Sequence, residues 1–193
     1  MCIFFAFVCM KIDNILLKGS GDNIEIKIAD FGLSALVRLG EEGYDAEESG
    51  KRKKYKGLHE LWGTKEYFAP ELIDGAYGPQ ADIWSAGCIL YEMLVGKTAF
   101  PFHRNERDLY ERIKSKTYDT QCAEYKGLSS QARSLLNGLL TVDPVQRLSA
   151  TEALKHPWIL NAAERDNSHL SQAHANIKER VQSKKMDRLQ ARK

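Results

Sequence analysis

Residues 11–32 read Lys-Ile-Asp-Asn-Ile-Leu-Leu-Lys-Gly-Ser-Gly-Asp-Asn-Ile-Glu-Ile-Lys-Ile-Ala-Asp-Phe-Gly. Ile24 to Ile28 alternate apolar and charged, the period-two pattern of a strand with one buried face. Ile15-Leu16-Leu17 lies before it across the polar stretch Lys18–Asn23, so the two segments predict a β-hairpin. The hairpin carries an amide at its foot, Asn14, and a carboxylate at its end, Asp30. An acid at a strand end, beside a glycine that frees the backbone, suits a hard metal ion. The Asp30-Phe31-Gly32 triplet alone is weak evidence, because such triplets arise by chance.

Its surroundings strengthen it. Downstream stand Gly63-Thr64-Lys65-Glu66-Tyr67-Phe68-Ala69-Pro70-Glu71, then Asp82-x-Trp84-Ser85-x-Gly87, Asp143-Pro144-x-x-Arg147 and His156-Pro157-Trp158. In this order the motifs resemble the C-terminal lobe of a eukaryotic protein kinase, over about residues 6 to 159. The resemblance implies a mainly α fold, with a short β-hairpin at its start and no N-lobe sheet. It divides the chain into an atypical apolar start (1–10), a partial kinase domain (11–159) and a basic tail (160–193).

The resemblance also implies roles. Asp30 corresponds to the aspartate that chelates magnesium between the ATP phosphates, and Asn14 to the ligand of a second magnesium. Lys11 corresponds to the lysine that touches the transferring phosphate in serine/threonine kinases, with Thr64 as its partner. Glu71 and Arg147 correspond to a buried ion pair tying the activation segment to the helical lobe. Asp82 corresponds to the helix-start aspartate that holds the catalytic-loop backbone. Glu92 stands where kinases of basic sites keep an acid for a substrate arginine; the alternative is a half-buried helix glutamate.

The pattern breaks at its most chemical position. The family's His-Arg-Asp is Phe7-Val8-Cys9 in this chain. A carboxylate accepts a substrate proton and orients the hydroxyl, whereas a thiol with a pKa of about 8.5 is mostly neutral and a poor acceptor. General-base help contributes roughly 10²–10⁴-fold. A Gly-rich loop, a Val-Ala-x-Lys strand and a helix glutamate to pair with that lysine are also missing from the pattern. The expectation is therefore a serine/threonine kinase by family, using ATP and Mg2+ in its full-length form, whose given chain binds ATP weakly or not at all. The alternative is a non-catalytic, pseudokinase-like or truncated interaction protein.

Composition narrows the classes. The 193 residues are 43% hydrophobic and 28% charged with a net charge of +2, as in an ordinary soluble globular protein. Cys2, Cys9, Cys88 and Cys122 form no C-x-x-C pair, so free thiols in a reducing compartment are expected and a zinc site is not. The cytoplasm is the expected location, with the nucleus as the alternative. The apolar run Met1–Met10 is far shorter than the roughly 20 residues that span a bilayer, so no membrane partner is expected. It reads as a buried strand or helix end.

Local signals place the remaining elements. Residues 82–95 are apolar nearly all round, predicting a central helix with Asp82 at its N-cap and Gly96 at its stop. Ser129 is positioned to cap a helix over 130–140, and Ser149-Ala-Thr-Glu152 is a capping-box pattern before a helix ending near Lys155. Beyond the hairpin, helix and loop are expected throughout. Residues 40–57 are polar, acidic first and basic second, which predicts a solvated loop rather than a nucleic-acid patch at Lys51–Lys56. Ser49, Tyr44 and Tyr55 in that loop are accessible phosphorylation candidates, and Glu60 stands where related kinases carry an activating phosphothreonine. His156-Pro-Trp and the basic tail resemble the calcium/calmodulin-dependent kinase group. That resemblance makes Ile177, Val181, Met186 and Leu189 candidate anchors for calmodulin, although no Trp or Phe joins them.

Overall fold

Trp84 has no exposure to solvent, and its helix is the axis of the fold. In the computed structural model, which describes residues 3–7, 10–20, 23–32, 34–38, 63–75 and 78–161, helix α2 runs Gln80–Val95. Its buried residues, Ala81, Trp84, Ser85, Gly87, Cys88, Ile89, Tyr91, Glu92 and Val95, leave it no wholly polar face, as the apolar run predicts. Gly96 ends it with a left-handed φ of 79°, its N–H donating to the Glu92 carbonyl. The start differs from expectation. The N-cap is Pro79, and Asp82 lies in the first turn. Proline's fixed φ suits a helix entry, so the helix begins two residues before the aspartate.

Around α2 stand α1 (Pro70–Ile73), α3 (Glu106–Lys114), α4 (Ala123–Lys126), α5 (Ser130–Leu139), α6 (Ala150–Leu154) and α7 (Pro157–Leu160). Ser129 accepts the Ala132 N–H at the start of α5. Ser149 and Glu152 form the expected capping box at α6. Pro157 does more than stop that helix: it occupies the first turn of α7. Trp84 stacks on Phe100 at 5.6 Å, and Phe100, Tyr118, Tyr91 and Tyr125 continue the aromatic contacts. At the crossing of α2 and α5, a Cβ on Gly87 would lie 2.8 Å from Leu140 Cδ2, so only glycine permits this approach.

The hairpin is present and longer than the apolar residues alone indicate. Strand β2 (Ile15–Ser20) pairs antiparallel with β3 (Asn23–Ile28), Ile15 opposite Ile28 and Leu17 opposite Ile26. Polar residues 18–20 stay in the ladder because pairing uses backbone groups and needs no apolar side chain. A second ladder was not expected: β1 (Ile3–Phe7) pairs antiparallel with β4 (Ser34–Arg38). The reading of helix and loop beyond the hairpin is corrected here, and the apolar start takes the strand form. A wholly apolar run carries no alternation to distinguish strand from helix. The fold is mainly helical with small antiparallel pairings. Among the described residues, no helix is long and apolar enough to cross a membrane.

Candidate functional site

The segment from Met10 to Asn14 is pinned at both ends. Met10, Ile12 and Ile15 pack against the helical core, and a single 3-10 turn covers Ile12–Asn14. The Asn14 N–H donates to the Lys11 carbonyl at 3.0 Å. The Ala29 N–H donates to the Asn14 carbonyl at 2.8 Å, which joins the end of β3 to this turn. Asn14 is thereby buried at the foot of the hairpin, and Asp30 follows one residue after the joint.

Asp30 is exposed and has a φ of +65°, a conformation that costs most residues about 1 kcal/mol or more. Aspartate is among the few non-glycine residues that adopt it, and its Oδ1 accepts the Gly32 N–H at 3.4 Å. The turn that carries this acid is thus tied through Ala29 to the buried Asn14. One carboxylate and one amide oxygen are hard donors. They suit a magnesium ion, which keeps several waters and takes its other ligands from phosphate. Among the described residues, no three His, Cys, Asp or Glu side chains gather to form a protein-only metal cage.

Lys11 and Thr64, 53 residues apart, meet: Lys11 Nζ donates to Thr64 Oγ1 at 3.3 Å. The contact links the 10–14 turn to the segment that begins at Gly63. That segment then makes a 3-10 turn over Lys65–Tyr67 and enters α1. Its anchoring is dense. Ser85 Oγ donates to the Tyr67 carbonyl at 2.9 Å, and Tyr67 Oη donates to Glu92 Oε2 at 2.5 Å. Glu71 and Arg147 pair as expected, Nη1 to Oε1 at 2.7 Å and Nη2 to Oε2 at 2.8 Å, with both residues buried. Arg147 also donates to the carbonyls of Thr141, Gln80 and Val142, and lies 5.2 Å from the centre of the Trp84 ring.

Glu92 departs from the picture of a helix glutamate open to a substrate. It is 2% exposed and sits beneath Tyr67. Two further contacts carry no sequence signal. Lys65 pairs with Glu106 at the first turn of α3, and Asp74 pairs with Lys114 at the last. The partners lie 41 and 40 residues apart, so neither helical spacing nor strand alternation reveals them. The hydrogen bond with Glu106 raises the Lys65 pKa, and the same bond lowers that of Glu106. Both groups are exposed, so the pair orients α3 more than it stabilises it. Asp82 lies partly buried in the first turn of α2. Cys9, the 40–57 loop, Glu60 and the candidate calmodulin anchors Ile177, Val181, Met186 and Leu189 lie outside the described residues.

A buried Glu–Arg pair, a Lys–Thr contact and an Asp-Phe-Gly hairpin in one order match a known family: residues 4–159 match the protein kinase domain. The chain belongs to the protein kinase family. The kinase match begins within β1, so most of the apolar start falls inside it. The chain resembles serine/threonine kinases of the calcium/calmodulin-dependent group. It is 36% identical over 155 residues to the calcium/calmodulin-dependent protein kinase type II alpha chain of Drosophila melanogaster, covering 78% of this chain and 26% of that one. It is 35% identical over 155 residues to the type II subunit delta of Oryctolagus cuniculus, covering 80% of this chain and 26% of the relative. The calcium-dependent protein kinase 31 of Arabidopsis thaliana is 36% identical over 150 residues, covering 78% and 28%. The chain thus spans about a quarter of the length of these kinases.

Proposed function

We propose that this chain carries the magnesium-holding and activation-segment part of a serine/threonine protein kinase, and that by itself it transfers no phosphate. The observation that carries the reading is the Lys11–Thr64 hydrogen bond, set beside the Ala29–Asn14 backbone bond that precedes Asp30. In this reading Asp30 and Asn14 hold Mg2+ against the phosphates of ATP. The ion supplies charge neutralisation for a phosphoryl group in transfer. Lys11 directs its ammonium at the same phosphate, and Thr64 fixes that ammonium in place. Glu71 and Arg147 hold the segment from Thr64 onward against the helices, so that the Lys11 partner stays where Lys11 reaches it. Asp82 supports the 10–14 turn from α2. Glu92 enters as the acid beneath Tyr67, within reach of a substrate arginine only where Tyr67 swings aside.

Cys9 explains the expected lack of turnover. Five residues before Asn14, the position calls for a carboxylate that receives the acceptor hydroxyl's proton. A neutral thiol accepts that proton poorly. The substrate class is protein serine or threonine, and the tail from residue 160 is proposed to offer Ile177, Val181, Met186 and Leu189 to calmodulin. The second reading, a non-catalytic interaction protein, is favoured by the same cysteine. Equilibrium binding of Mg2+ and an ATP analogue to wild type and to Asp30→Asn tests the magnesium assignment. A weak affinity that depends on Asp30 supports it; affinity indifferent to Asp30 contradicts it.

A further inference from the structure

Helix α3 ends in a turn that holds a lysine where glycine is usual. Lys116 has a φ of +54°, in the left-handed region. Two backbone bonds close the turn. The Lys116 N–H donates to the Ile113 carbonyl at 3.1 Å, and the Thr117 N–H donates to the Arg112 carbonyl at 2.8 Å. Ile113 has no exposure to solvent, so the turn is fixed to the core. From there the half-buried Lys116 side chain crosses to the last turn of α5. Its Nζ donates to the Asn137 carbonyl at 3.2 Å, and the same carbonyl accepts the Thr141 hydroxyl at 2.9 Å.

Other lysines of the fold are held differently. Lys27, Lys65 and Lys114 pair with the carboxylates of Glu25, Glu106 and Asp74. A carboxylate stabilises the ammonium form, in which nitrogen has no lone pair to give. Lys116 pairs with no carboxylate among the described residues; its acceptor is a neutral carbonyl. Partial burial takes water from its ammonium and lowers its pKa. Once neutral, the amine keeps an N–H for the carbonyl and has a lone pair for an electrophile. Lys11 also donates to a neutral oxygen, Thr64 Oγ1, but it belongs to the site already described.

We propose that Lys116 is an acylation site, whose ε-amine takes an acyl group from an activated donor such as a thioester, an acyl phosphate or an active ester. The amine lone pair attacks the acyl carbon, and a C–N bond forms. The bond to the leaving group breaks, the leaving group departs with that electron pair, and the nitrogen gives its proton to water. The amide that results is uncharged and retains one N–H, so acylation removes a positive charge from the point where α3 meets α5. Lys114, two residues away and 2.5 Å from Asp74, is the internal control.

The test is brief acetylation of the full chain with a limiting amount of the succinimidyl ester of acetic acid, the acetyl groups being located by tandem mass spectrometry. The expected result is initial acetylation at least about threefold faster at Lys116 than at Lys114, with the two rates equal in urea that unfolds the chain. Asp74 is exposed at the end of α1, and Asp74→Asn is expected to raise the Lys114 rate while leaving the Lys116 rate unchanged. Equal or slower acetylation at Lys116 in the native chain overturns the proposal. So does a preference that survives in urea, because its cause then lies in the local sequence and not in the fold. An Asp74→Asn chain in which Lys114 stays slow also overturns it, because the carboxylate is then not what separates the two amines.

Discussion

Glu71→Ala removes one half of a pair whose other half has nowhere to go. Arg147 is 2% exposed, and its guanidinium meets both Glu71 oxygens, at 2.7 and 2.8 Å. After the substitution the cation keeps three neutral carbonyl acceptors and the face of Trp84, but no counter-charge. Stranding a buried charge costs about 3–5 kcal/mol. The three carbonyls place the expectation near the low end, at about 3 kcal/mol. That is a large fraction of a domain stability of about 5–15 kcal/mol. Urea unfolding followed by tryptophan fluorescence reads the loss. With a slope of about 1–3 kcal/mol per molar, the midpoint falls by about 1–3 M. Arg147→Met in the same background completes the test. The double variant is expected to lose no more than Glu71→Ala alone, because no orphaned charge remains. A midpoint within a few tenths molar of wild type, or a double variant showing the sum of the two losses, refutes the argument.

Gly87→Ala is expected to destabilise by about 1–3 kcal/mol, since its Cβ would meet Leu140 at 2.8 Å and overpacking outweighs the gain in helix propensity; the urea midpoint checks it. Glu152 has its pKa lowered by the hydrogen bonds from Ser149, so its contribution is present above an unfolded value of about 4.3 and is lost as pH falls through the lower folded value. The stability gap between wild type and Glu152→Gln is expected at pH 7 and to shrink as pH falls below the unfolded value. Burial pushes the Cys88 thiol well above its ordinary range, and the residue is 1% exposed. Iodoacetamide on the native chain is expected to modify Cys122 and spare Cys88 until urea is added, as peptide mapping will show.

The features legible in the sequence are those written at short range. Alternation from Ile24 to Ile28 marks the hairpin, Ser149 with Glu152 marks the capping box, and Gly96 marks a helix stop. Each rests on residues a few positions apart. The Glu71–Arg147 pair and the Lys11–Thr64 contact span 76 and 53 residues, and only a family resemblance brought them forward. The second ladder was hidden because Ile3–Phe7 is apolar without alternation, so the sequence pattern did not name its form. Asp82 has the chemistry of an N-cap, yet Pro79 starts the helix earlier. Glu92 carries the charge of a surface residue, and its burial depends on a tyrosine 25 positions away. Lys65–Glu106 and Asp74–Lys114 join α3 to residues on either side of α1, and pairs at such separation have no periodicity to betray them.

The most direct test of the account is incorporation of labelled phosphate from Mg-ATP into a basic serine peptide by the purified chain, alongside Asp30→Asn. The account holds that Cys9 leaves the acceptor proton without a competent base, so both proteins are predicted to show no transfer above a blank. Transfer by wild type that disappears in Asp30→Asn contradicts it, and makes this chain a working kinase whose chemistry does not need the missing carboxylate.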